Sequence, residues 1–343
     1  MHPNMAPMSI TSVLTVASFI SITYCWGALG HRAVAYLAEQ YMMPIALEYT
    51  DYLLDGEDIS EASLWPDQIR GNPAFDFTSG WHYIDAEDDP PDQCGVRYRR
   101  DCDPRDGCVV SAIVNQTERA ISRNTTVTEK GQALKYLLHF IGDIHQPLHT
   151  EAESHGGNDI DVRFDNRSTT LHFVWDTAIP EKWAGQDHDD NEDEQKAAAL
   201  AWAQDLYVAD DNPDASLAAE CQDLSRAQEC SLSHANDANQ WICGYVLQDE
   251  VEGVKGQELS GDYYEGAVPI VELLIAKAGV RLAAWINALA TLNASDAITN
   301  STAAAASSSN SPRPFDADLD LDHAEVEESA APDVGLGIVE DEL

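Results

Sequence analysis

Basic residues are scarce in this chain: 19 Lys and Arg stand against 60 Asp and Glu, a net charge of −41 over 343 residues. A broad cationic surface that grips nucleic-acid phosphates is therefore excluded, because such affinity comes from clustered Lys and Arg. Chemistry on phosphates through bound cations is not excluded, since a metal's local charge can outweigh the global sign. No Cys-x-x-Cys pair occurs, which removes the usual zinc-thiolate sites. Beyond the amino terminus no apolar run is long enough to span a bilayer.

The amino-terminal run Ser9 to Ile22 is apolar but too short to cross a membrane, and it sits where a secretory signal belongs. It lacks the usual Lys or Arg before it, and Thr23-Tyr24-Cys25 follows the small-x-small rule only loosely. Residues 1–25 are read as a signal peptide and 26–292 as the folded body of a secreted protein. Removing the first segment leaves six cysteines, Cys94, Cys102, Cys108, Cys221, Cys230 and Cys243, an even number whose spacing leaves fifteen pairings open. Five Asn-x-Ser/Thr sequons, at Asn115, Asn124, Asn166, Asn293 and Asn300, fit the same compartment.

The body reads as all-α. Apolar residues recur at helical spacing after Ala28, through Gln132–Ile141, where Pro147 predicts a break, and from Tyr263 to Leu289. The one alternating stretch, Ile160-Asp-Val-Arg-Phe before Asp165-Asn166, predicts a short β-hairpin. Asp187–Glu194 is nearly all charge and reads as a solvated loop. From 293 to 343 a Ser/Ala-rich and then acidic composition predicts a disordered tail.

The histidines are unevenly placed. His139 and Asp143 lie four apart in a helical segment and share a face; His149 follows beyond Pro147; His172 and Asp176 repeat the spacing. Trp65-Pro-Asp67, Trp81-His82-Tyr83-Ile84-Asp85 and His31 add further donors. One His-x-x-x-Asp pair is usually a structural hydrogen bond. Two pairs flanked by three more His and Asp elements point to divalent metal, with imidazole and carboxylate as the zinc ligands used when thiolates are absent. His145, His155, His188, His234 and His323 have no assignment and are read as surface histidines or supports to ligands.

In order and spacing these elements resemble the trinuclear-zinc nucleases of fungi and plants, the S1/P1 type. The matching elements are Trp26-x-x-x-x-His31, Trp-Pro-Asp, Trp-His-Tyr-Ile-Asp, His-Phe-Ile-Gly-Asp, Gln-Pro-Leu-His, Gly-Gly-Asn and His-x-x-x-Asp, and the likeness covers Trp26 to Leu289. The same fold occurs in bacterial zinc phospholipases C, so a lipid phosphodiesterase is the rival reading. The resemblance implies three zincs: the first on Asp67, His82, His139 and Asp143; the second on His149, His172 and Asp176; the third on His31, Asp143 and the amine and carbonyl of Trp26, freed by cleavage after Cys25. It further implies that Asp85 orients the attacking water, that Arg70 faces the developing phosphorane charge, and that Tyr83 and Asn158 contact the base. The expected reactions are endonucleolytic cleavage of single-stranded DNA and RNA to 5′-nucleotides and 3′-nucleotidase activity, by a monomer that does not engage membranes. The implied disulfides are Cys94–Cys243 and Cys102–Cys108; Cys221 and Cys230 then pair by elimination, which the family pattern does not itself imply.

Overall fold

The computed structural model describes residues 26–186, 191–209 and 221–308, so the expected signal peptide lies outside the described residues, as do His188 and His323. The chain divides into two units, Met1–Ala297 and Ile298–Leu343, and the site lies in the first.

The body is helical with one hairpin, as the periodicity predicts. Helix α1, Ala28–Tyr41, buries Leu29 and Val34 through Ala38 and packs on α10, Glu192–Ala209, and on α7, Val127–Asp143. Helix α7 starts with a capping box: Glu129 N donates to Thr126 Oγ1, and Thr126 N donates to Glu129 Oε2. Its second half, Ala133 to Asp143, is buried almost without interruption beside α6, Val109–Ile121. The segment ends at Asp143, four residues before Pro147, which opens a 3₁₀ turn over Pro147–Thr150. A closing helix, Asp262–Ser308, brings Trp285 against α6, where its Nε1 donates to Thr117 Oγ1 at 3.0 Å.

The hairpin pairs β1, Asp161–Phe164, with β2, Arg167–Thr170, in antiparallel register. Asp165 and Asn166 both have positive φ, as a tight two-residue turn requires. Disulfides join Cys94–Cys243, Cys102–Cys108 and Cys221–Cys230. No helix among the described residues is long and apolar enough to cross a membrane.

One expectation changes. The acidic segment read as a loop over 187–194 becomes helical at Glu192, where α10 begins. Asn191 and Glu194 cap that end reciprocally, and carboxylates favour the positive end of a helix dipole. The closing helix runs through residue 293 to Ser308, and the acidic remainder of the tail lies outside the described residues.

Candidate metal centre and cleft

Four chain segments converge on one buried cluster. His31 comes from α1, Asp67 from the short helix Trp65–Gln68, His82 from the end of the 3₁₀ turn Asp76–His82, and His139 and Asp143 from α7. The α7 pair shares a face, with His139 Nε2 3.3 Å from Asp143 Oδ2. His82 Nδ1 lies 3.2 Å from the same oxygen and 3.1 Å from His139 Nε2. Asp143 Oδ1 faces the other way, 3.2 Å from His31 Nε2. The two oxygens of this fully buried carboxylate therefore serve two sets of imidazoles. Asp67 Oδ1 stands 3.7 Å from His139 Nε2 and 3.8 Å from His82 Nδ1.

A second cluster adjoins it. His149 rides on the 3₁₀ turn, while His172 and Asp176 keep their spacing of four across a short helical turn, Leu171–Phe173, and a π-helical one, Val174–Ala178. His172 Nε2 is 2.9 Å and His149 Nε2 3.6 Å from the Asp176 carboxylate.

Backbone carbonyls orient three of the rings. His139 Nδ1 donates to Ser63 O at 2.7 Å, His149 Nδ1 to His82 O at 2.9 Å, and His172 Nδ1 to Gly156 O at 2.6 Å. Each bond fixes the tautomer that turns the Nε2 lone pair into the cluster, the usual support for a metal-binding histidine. Gly156 has φ +60°, and a Cβ there would stand 2.6 Å from Leu148 O, so the turn that presents this carbonyl requires glycine.

The buried histidines and carboxylates shift one another's titration. Burial would raise the Asp143 carboxyl, but His139, His31 and His82 outweigh it and hold it well below the usual carboxylate range. Burial drives His139 down to about 3, against the pull of Asp143. At His149 burial is outweighed by Asp176, which raises it to about 9, while Asp176 falls to about 2 through His172 and His149 despite its burial. Buried His31 Nε2, Asp143 Oδ1, His149 Nε2 and Asp176 Oδ2 face one another without hydrogen-bond partners. Such atoms are costly to bury unless something binds them. Three groups, His31–Asp67–His139, His82–His139–Asp143 and His149–His172–Asp176, each bring their donor atoms within 4.8 Å of one another, close enough to hold a divalent ion. The imidazole and carboxylate donors suit zinc.

Above the clusters lies a cleft of about 390 Å³. His82, His149 and His172 line its floor, and Arg70, Tyr83, Asp85 and Asn158 line its walls. Arg70 Nη1 lies 3.4 Å from Asp67 Oδ1. Tyr83 is 39% exposed, so its ring is available to a ligand. Burial and the nearby Glu87 charge raise the Asp85 carboxyl. Asn158 Nδ2 donates to His155 O at 2.9 Å. Trp26 is fully buried, and Gly27 N donates to Asp176 O at 2.7 Å, which ties the start of the body to the second cluster.

Sequence reasoning gave no cleft role to three further titratable residues that line it, Glu87, Glu151 and His155. Their closeness in sequence to Asp85 and to His149 was the available signal. Glu151 is 2% exposed, and burial, with Asp88 beside it, raises its carboxyl to about 8. The reading of spare histidines as surface or supporting groups holds for His155, whose exposed ring pairs with Asp159. It fails for His145 and His234, which are fully buried. His145 caps α7 by donating from Nδ1 to Ile141 O, and its Nε2 accepts from Arg281 Nη1 at 2.9 Å; the His234 ring packs beside it. A buried histidine satisfied in this way is a core residue, and no sequence spacing marks it.

Comparison with known proteins agrees with this geometry. The family model for S1/P1 nuclease matches residues 26–291. Nuclease S1 of Aspergillus oryzae (strain ATCC 42149 / RIB 40) is 36% identical over 301 residues, 84% of this chain and 99% of that protein. Nuclease P1 of Penicillium citrinum is 36% identical, covering 76% of this chain and 97% of its own length. Endonuclease 4 of Arabidopsis thaliana is 34% identical, with 80% and 92% covered.

Proposed function

The chain belongs to the S1/P1 nuclease family, and from that premise we propose that it is a secreted, zinc-dependent hydrolase that cuts single-stranded DNA and RNA to 5′-nucleotides and dephosphorylates 3′-nucleotides. The observation that carries this reading is the convergence of two buried His/Asp clusters on the floor of a cleft whose wall presents an exposed aromatic ring.

The buried donors support a reading of three zincs. Asp67, His82, His139 and Asp143 would hold the first, and His149, His172 and Asp176 the second. His31, the second oxygen of Asp143 and the Trp26 amine and carbonyl would hold the third. The opposed oxygens of Asp143 support its role as the bridge. Zinc here would supply charge neutralisation at the phosphate and an activated water. Asp85 aligns that water and takes up its proton, a task favoured by its raised carboxyl. Arg70 meets the charge that develops on the phosphorus oxygens with a planar donor fork. Tyr83 stacks on a base and Asn158 hydrogen-bonds it. A base can reach Tyr83 only outside a duplex, which is the origin of the single-strand preference; such stacking contributes roughly 1–3 kcal/mol per base.

Secretion rests on the amino-terminal apolar run and the three disulfides. Asn115, Asn124 and Asn166 are exposed and suit glycosylation. Asn293 suits it less: its Nδ2 donates to Tyr49 Oη and Leu289 O, and its Oδ1 accepts from Lys130 Nζ. The test is digestion of matched single- and double-stranded oligonucleotides by mature protein, before and after zinc removal. Preferential release of 5′-nucleotides from the single strand, abolished by chelation, supports the reading. Release of phosphocholine from lecithin without cleavage of oligonucleotides overturns it in favour of a phospholipase.

A further inference from the structure

Beside the cleft runs a second groove of about 890 Å³, lined by Phe77, Trp81, Tyr98, Arg99, Arg105 and Asp106 among others. Phe77 is 63% exposed, which leaves its ring open to a ligand. Trp81 supports it edge-on at 5.4 Å and is fixed by its Nε1, which donates to Asp106 O at 3.1 Å. One stretch of chain borders both the groove and the cleft. Trp81 directly precedes His82 and Tyr83, and Asp106 lies close enough to the Tyr83 hydroxyl that its charge, added to burial and Asp85, helps to raise it.

The basic residues are concentrated in the same stretch, which also carries Asp101, Asp103 and Asp106. Arg97, Arg99, Arg100 and Arg105 place four of the chain's 19 basic residues within nine positions. Arg100 is held by Asp101 and Gly95 O. Arg99 is exposed, and Arg105 is 82% exposed with only a loose contact to Asp103 at 3.7 Å. Asp103 also borders the groove, but its Oδ1 already accepts from Arg105 N and Asp106 N, and the Cys102–Cys108 bridge closes the same loop. In a chain of net charge −41, arginines projecting beside an exposed aromatic ring match one ligand chemistry well: phosphates alternating with bases.

We infer that this groove is a subsite for the flank of the single-stranded substrate, with Phe77 stacking a base beyond the one at Tyr83 and Arg99 and Arg105 facing its phosphates. The inference rests on the nuclease reading above. It makes chain length a determinant of affinity, whereas the cleft alone sees only the nucleotides next to the cut.

The experiment compares a dinucleotide with a 20-nucleotide single strand, using zinc-loaded enzyme. All proteins carry Asn115→Gln so that no glycan shares the groove, which Asn115 also lines. Phe77→Ala should raise KM for the 20-mer about tenfold, the loss of one stacked base, and leave dinucleotide kinetics unchanged. Arg99→Gln with Arg105→Gln should reduce the slope of log KM against log salt for the 20-mer by about 1.4, two phosphate contacts on a single strand. Equal effects on both substrates, or none on either, overturn the subsite. Failure of the parent protein to cleave either substrate overturns the nuclease reading instead.

Discussion

Replacing Gly142 with alanine should remove a metal without unfolding the protein. A Cβ at this position would stand 2.8 Å from His31 Nδ1 and 3.1 Å from its Cε1. The imidazole cannot simply swing aside. Its ring stacks on His139 with centroids 3.9 Å apart, and its Nε2 lies 3.2 Å from Asp143 Oδ1. Overpacking of this kind costs about 1–3 kcal/mol, whereas Ala in place of Gly inside a helix gains about 1 kcal/mol. The net cost is therefore about 0–2 kcal/mol, which a folded domain tolerates. His31, however, must leave Asp143. Elemental analysis of purified Gly142→Ala should find one zinc fewer per chain, with kcat/KM lower by about 100-fold or more and only a small fall in Tm. A full zinc complement at the wild-type rate would refute the placement of His31 as a ligand.

Other predictions concern the cleft and the titrating groups. Asp85→Asn should lower kcat about 100-fold with little change in KM; a raised KM at unchanged kcat would move Asp85 from water alignment to base contact. Tyr83→Ala should raise KM for single-stranded oligonucleotides about tenfold, and unchanged kinetics would remove Tyr83 from the substrate. In protein stripped of metal, His149 stands at about 9, above the 6.5 of an ordinary histidine. The stability it contributes is then complete below pH 6.5 and is lost as pH rises to about 9. Zinc-loaded protein, in which the ring must stay neutral, should lack this loss; identical Tm profiles for the two forms over that window would contradict the assignment. Precursor retaining residues before Trp26 has no terminal amine there, so it should bind one zinc fewer and be inactive, whereas full activity in such a precursor would exclude the amine as a ligand.

The sequence marks a feature best where local spacing already carries the geometry. His139 and Asp143 share a face because both lie in one long helix, and two turn residues at Asp165-Asn166 place the hairpin. Long-range contacts leave no such trace. The carbonyl of Ser63 beneath His139, 76 positions away, and that of Gly156 beneath His172 become visible only after folding. The His145–Arg281 contact spans 136 residues and turned an apparently spare histidine into part of the core. Composition misled at Glu192–Glu194, where a run of acids reads as loop, yet a helix N-terminus is where such charge is favoured. Glu151 was passed over because an isolated glutamate gives no spacing signal, although folding buries it at the edge of the cleft.

The proposed activity depends most on the metals. The direct measurement is zinc per chain in secreted, active protein, taken before and after chelation and again after zinc is restored, with single-strand cleavage read in parallel. The proposed function predicts three zincs, loss of cleavage as they leave and recovery as they return; cleavage that persists in metal-free protein would contradict it.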